Sequence, residues 1–189
     1  MPSVKLYGQK EIRMAAYNRS ASRFFLKLAE KKEEGWLYPT LSSIVFSAFT
    51  YEAFLNTLGA KIVIKWDEHD RKSTADKIKV ICKKINYKPN KNKRPYHTLN
   101  QLVWFRNLTA HGREEIILVQ GKTVPKPKKG EYHKIIESEW EKYCTIKNAR
   151  KAFEDVEKIA EDLCQRANIK KFPGFPFGSL ASSAYQIKE

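Results

Sequence analysis

Arg106, Asn107 and His111 stand close together in "FRNLTAHGRE", Phe105 to Glu114, and their side-chain types suit one chemistry. On a helix, Asn107 and His111 are four apart, about 40° around the axis, and share a face; Arg106 lies about 140° from His111 and is long enough to curl toward it. An imidazole exchanges protons near neutral pH, and a guanidinium is a permanent planar cation that matches two phosphate oxygens. Together they fit cleavage of an RNA phosphodiester without a metal. The ribose 2′-OH attacks the adjacent phosphorus, His111 moves a proton, Arg106 stabilises the phosphorane, and Asn107 orients His111 or binds the phosphate. One chain supplies one such histidine while the reaction has two proton transfers. A two-fold symmetric dimer that brings two such helix ends to one phosphate would complete the site. Spacing alone also admits a second reading, solvated residues at a helix C-terminus, where a protonated histidine suits the helix dipole.

The segment that must position them, "TLNQLVWFRNLTAHG", reads as the fourth of about five helices. Thr98 and Gln101 have the spacing of a capping box and Gly112 is placed to end the helix. Leu99, Leu102, Val103, Phe105, Leu108 and Thr109 supply its inward face. The first helix is expected from about Gln9 to Glu34, with Ile12, Ala15, Ala16, Phe24, Phe25 and Leu28 as its apolar stripe. The second, "PTLSSIVFSAFTYEAFLNTLGAKIVIKW", is apolar on nearly every side and should be buried between others. Its Ala, Leu and Glu content and its length favour helix over strand. Glu52 and Asn56 fall on one face of it, and a carboxylate in so apolar a helix needs a cation nearby; either residue could hold Arg106. A third helix, "STADKIKVICKKIN", starts at a Ser73 cap, and a fifth starts at Thr145 with Ala149, Phe153, Val156, Ile159, Ala160 and Leu163 inward. A short strand at Ile116–Val119 and a basic loop are expected between helices four and five. The fold class is therefore all-α, a helical bundle over residues 1–172 with a strand/loop insertion after helix four and a Pro/Gly/Phe-containing tail at 173–189.

The net charge of +15, from 36 Lys and Arg against 21 Asp and Glu, favours a polyanionic partner, nucleic acid before a membrane surface. The excess concentrates between Lys61 and Arg94 and in "KTVPKPKKG", Lys122 to Gly130, so Lys91, Lys93, Arg94, Arg113, Lys126, Lys128 and Lys129 are candidate RNA contacts. Solubility alone also explains Lys-rich faces. Cys82, Cys144 and Cys164 are too few and too scattered for a disulfide framework or a cysteine zinc site, which suits a reducing compartment. The N-terminal residues lack the apolar core of a signal peptide and no window is apolar enough to span a membrane, so a cytoplasmic protein is expected.

No P-loop, dinucleotide glycine fingerprint, nucleophile elbow or His-Glu-x-x-His is present. The densest acidic group, "DEHD" at 67–70, reads as a helix terminator, and neither metal nor cofactor is expected. His69, His97 and His133 read as solvent-exposed loop or helix-edge residues, Trp104 and Phe105 as core or dimer packing.

"RNLTAH" resembles the signature of HEPN (higher eukaryotes and prokaryotes nucleotide-binding) domains: an arginine, a polar residue directly after it, and a histidine a few residues on. The order of elements around it, over roughly residues 9–170, is similar too. The resemblance implies an up-and-down bundle that dimerises around a cleft. It implies a metal-independent ribonuclease of a toxin–antitoxin, abortive-infection or other anti-phage system, leaving a 2′,3′-cyclic phosphate. By position the functional residues would be Arg106, Asn107 and His111. Partners would be RNA, a second copy and an antitoxin or other defence protein. The alternative is a non-catalytic HEPN module that binds RNA, a nucleotide or a protein. The insertion after the motif and the tail are not parts of a minimal HEPN bundle.

Overall fold

The computed structural model describes residues 5–32, 34–121, 123–126, 136–170, 175–178 and 181–188. Along them the chain runs β1 (Lys5–Ile12), α1 (Met14–Glu30), α2 (Leu37–Ile62), a 3-10 turn (Trp66–Glu68), α3 (Thr74–Lys84), α4 (Tyr96–Ala110), α5 (Glu139–Tyr143), α6 (Ile146–Arg166) and β2 (Ala181–Lys188). This is an all-α bundle, and among the described residues no helix is long and apolar enough to cross a membrane.

α2 is central because it is apolar on nearly every side: α1, α3, α4 and α6 all pack on it. Its contact with α1 runs through small residues. Ala15, Ala16, Ser22 and Ala29 are buried on α1, and Ser43, Ser47 and Ala48 on α2. The Ser22 hydroxyl donates to the Ser43 carbonyl at 3.0 Å and lies 2.7 Å from Ser47 Oγ, so these polar atoms are satisfied where the helices meet. Gly59 has a different job. A Cβ there would stand 2.5 Å from the indole of Trp66, so only glycine lets the 3-10 turn lie on α2. α6 closes the bundle with the expected stripe, Ala149, Val156, Ile159, Ala160 and Leu163, from a Thr145 cap; Phe153 is only half-buried, under the Arg19 guanidinium.

Several boundaries differ from the sequence reading. The first helix begins at Met14, because residues 9–12 belong to β1, which pairs antiparallel with β2 from Lys5 opposite Lys188 to Ile12 opposite Ala181. Ile12 and Phe24 are exposed; Ser22, Leu26 and Ala29 take the inward positions. The expected tail from residue 173 does not simply trail: Phe177 is buried edge-on against Phe54, and β2 takes up the first strand. α4 starts at Tyr96, behind Pro95, so Thr98 and Gln101 lie inside the helix and do not cap it. Thr98 is buried, and its Oγ1 and Gln101 Oε1 make no hydrogen bond among the described residues. α4 ends at Ala110; Gly112 follows as expected, but what it supplies is room, since a Cβ would sit 2.9 Å from the Leu108 carbonyl oxygen. Thr109 is exposed, its hydroxyl donating to the Arg106 carbonyl at 3.0 Å.

The strand expected at Ile116–Val119 does not form. Residues 112–120 carry no helix or strand, and all four apolar side chains are exposed. A strand's N–H and C=O groups need a neighbour, and none of the described residues supplies one. Besides the two strands and the 3-10 turn, α5 went unexpected; Ser138 and Glu141 start it with a reciprocal capping box. Between α3 and α4 the 85–95 loop is pinned to α6 at two points: Arg166 lies over the Tyr87 ring at 3.8 Å, and Arg94 pairs with Asp155.

Candidate functional site

Glu52, Lys77 and Arg106 meet where α2, α3 and α4 come together. The Arg106 Nη2 group donates to Glu52 Oε2, and its Nη1 group donates to Asn107 Oδ1 at 2.9 Å. The other carboxylate oxygen, Glu52 Oε1, lies 3.5 Å from Lys77 Nζ. Glu52 thus has the cation that so apolar a helix demands, and has two. One carboxylate shared between two cations leaves the trio with a net positive charge.

Burial grades across it. The Lys77 side chain is 2% exposed, Arg106 24% and Glu52 30%, so the trio runs from a buried ammonium to a partly exposed ion pair. Arg106 is held by two bonds from different nitrogens, and a guanidinium so fixed presents its remaining N–H groups in a set direction. Asn107 accepts from Arg106 through its oxygen, which leaves its amide N–H₂ as a donor on the exposed side.

His111 is the residue that ends α4. Its backbone N–H donates to the Asn107 carbonyl at 2.9 Å, its φ and ψ of −122° and 18° leave the helix, and its side chain is exposed. Arg106, Asn107 and His111 therefore occupy the last turn and a half of α4, as the spacing implied. Asn56 does not join them: its Oδ1 is buried without a hydrogen-bond partner among the described residues, one turn beyond Glu52. Trp104 is exposed and leans edge-on against Tyr143, while Phe105 is in the core.

The basic candidates separate. Arg94 is committed elsewhere: its Nε and Nη2 groups donate to Asp155 Oδ2 and Oδ1, both at 2.8 Å, and this pairing raises its pKa. Asp155 is 1% exposed, so Arg94 anchors the loop to α6, while its own side chain is still 49% exposed. Lys91, Lys93, Arg113 and Lys126 are exposed; Lys128, Lys129 and His133 lie outside the described residues. His97 is exposed and His69 Nδ1 lies 3.0 Å from Lys72 Nζ.

Among the described residues no three His, Cys, Asp or Glu side chains gather in a way that would hold a metal ion. The three cysteines are free and buried, and burial pushes the thiols of Cys82 and Cys164 up to about 11 and that of Cys144 to about 12. None is a poised nucleophile at neutral pH. The residue that sequence reasoning missed is Lys77. It lies in register with Thr74 and Ile81 on the buried face of α3, and a lysine at that position of an apolar stripe is a signal that a carboxylate waits opposite. No family model, no curated protein and no solved structure matches the chain.

Proposed function

We propose that the chain is a metal-independent endoribonuclease of the HEPN type, working as a homodimer in a toxin–antitoxin, abortive-infection or other anti-phage system. The observation that carries this reading is the Arg106 guanidinium, fixed by Glu52 and Asn107 at the end of the helix that also presents His111.

In this reading the ribose 2′-oxygen forms a bond to phosphorus as its proton passes to the neutral His111 of one protomer. The bond from phosphorus to the 5′-oxygen breaks as that oxygen takes a proton from the protonated His111 of the other. The products are a 2′,3′-cyclic phosphate and a 5′-hydroxyl. Arg106 and the Asn107 amide stabilise the charge on the phosphorane, and Glu52 is a positioning residue that acts through Arg106. The lysine-rich surface gathers the RNA backbone. An antitoxin or other defence protein would restrain the site.

His111→Ala and Arg106→Ala should each abolish cleavage of RNA by the folded protein, together with growth arrest on expression, while EDTA leaves cleavage intact. A 2′-deoxy substitution at the cut nucleotide should block cleavage and spare most binding. Undiminished cleavage by a folded His111→Ala protein overturns the proposal. Salt-sensitive RNA binding with no products would identify a non-catalytic binding module instead.

A further inference from the structure

A cavity of about 560 Å³ opens between α2, α3, α4 and the 85–95 loop. Its size falls in the range of about 300–1,000 Å³ typical of small-molecule sites. Tyr51, Ile78, Cys82, Leu99 and Val103 make its lining largely apolar. Four lysines line it as well: Lys79, Lys83, Lys88 and Lys91. Lys79 is already paired with Asp76 at 2.9 Å. Lys83, Lys88 and Lys91 are exposed and make no ion pair among the described residues, and the lining holds no carboxylate. The wall that carries Tyr87, Lys88 and Lys91 is built: Arg166 stacked on Tyr87 and Arg94 bonded to Asp155 fix the loop against α6.

We propose that this cavity binds a small amphipathic anion, an alkyl or aryl body seated among Tyr51, Ile78, Cys82 and Leu99 with a carboxylate or phosphate head between Lys83, Lys88 and Lys91. Three like charges around one apolar opening repel one another, and one anionic head relieves that repulsion while its body removes apolar surface from water. A neutral apolar molecule gains only the second of these. The inference rests on the cavity alone and stands apart from the ribonuclease reading. The same helices nonetheless hold both places: Tyr51 precedes Glu52, Ile78 follows Lys77, and Val103 lies one turn before Arg106.

The test uses the purified full chain, with decanoate and octyl phosphate below their micellar ranges and 1-decanol and 1-octanol as uncharged counterparts, followed by calorimetry and thermal shift. At least one anion should bind one-to-one, raise the melting temperature and exceed its alcohol by about tenfold or more in affinity. Whichever anion binds tighter assigns the head group. Lys83→Gln, Lys88→Gln and Lys91→Gln combined, all at exposed positions, should weaken binding by about tenfold or more without lowering the free protein's melting temperature. Ala75→Trp, an exposed lining position, should block binding. Failure of both anions to bind, equal affinity for anion and alcohol, or undiminished binding in either variant overturns the proposal.

Discussion

Glu52 of α2 and Arg106 of α4 are 54 positions apart in the chain and joined by an ion pair whose carboxylate also faces Lys77. Because Lys77 is 2% exposed, removing the shared carboxylate strands a buried ammonium. Glu52→Gln should therefore destabilise the fold by about 3 kcal/mol, the low end for a broken buried pair because Glu52 itself is partly solvated. Adding Lys77→Met should restore stability to within about 1 kcal/mol of the parent, since the stranded charge is gone. Urea unfolding of the single and double variants measures both, and additive losses would show that the two groups are not coupled.

Arg94→Ala should cost about 2–3 kcal/mol, because it leaves the Asp155 carboxylate buried without its two donors. Arg94→Lys should recover only part of this, since one ammonium cannot make both bonds of the fork. Hydrogen exchange should show the loss first in the 86–95 backbone. A role for Arg94 in holding RNA predicts the opposite pattern, weakened RNA binding with unfolding unchanged.

Cys144 and Cys164 should resist a disulfide reagent at pH 8 in the native protein and react in denaturant, whereas Cys82, which lines the cavity, should react ahead of them. Burial raises their pKa, so the thiolate fraction near neutrality is small. The sign follows for stability. The folded chain holds these protons more tightly than the unfolded one, so their contribution is full below the unfolded value of about 8.5 and is lost as pH rises through the folded values. Unfolding midpoints measured from pH 8 to 11 should fall as pH increases.

Gly59→Ala should displace the Trp66 indole, because the added carbon would sit 2.5 Å from its ring atoms. The helix-propensity gain of about 1 kcal/mol for alanine offsets only part of an overpacking cost of about 1–3 kcal/mol. The readout is the tryptophan emission spectrum together with the melting temperature; an unchanged spectrum would mean that α2 and the turn shift apart without strain.

The helices were legible because their signals are local. Ser73 and Thr145 sit where caps belong, and the α6 stripe repeats at helical spacing over about four turns. The Glu52 partner was legible for an energetic reason, since a carboxylate in the most apolar helix implies a cation, and Arg106 is one. Lys77 escaped notice because lysine is common on α3, and which of its lysines is buried is decided by packing against α2. The β1–β2 ribbon was out of reach for another reason: its pairing joins segments some 170 positions apart, and neither strand alternates strongly enough to announce itself. Thr98 misled because a capping box is read from two residues only, while the start of α4 was set three residues earlier by Pro95 and the burial of Tyr96.

The register of that ribbon has a mechanical consequence. Lys5 stands opposite Lys188 at its open end, and Ile12 opposite Ala181 at the end nearer the bundle. A pull applied between residues 5 and 188 therefore peels the ladder one rung at a time instead of shearing all rungs together. The ribbon should open at low force, before tension reaches the helices that hold Glu52, Lys77 and Arg106.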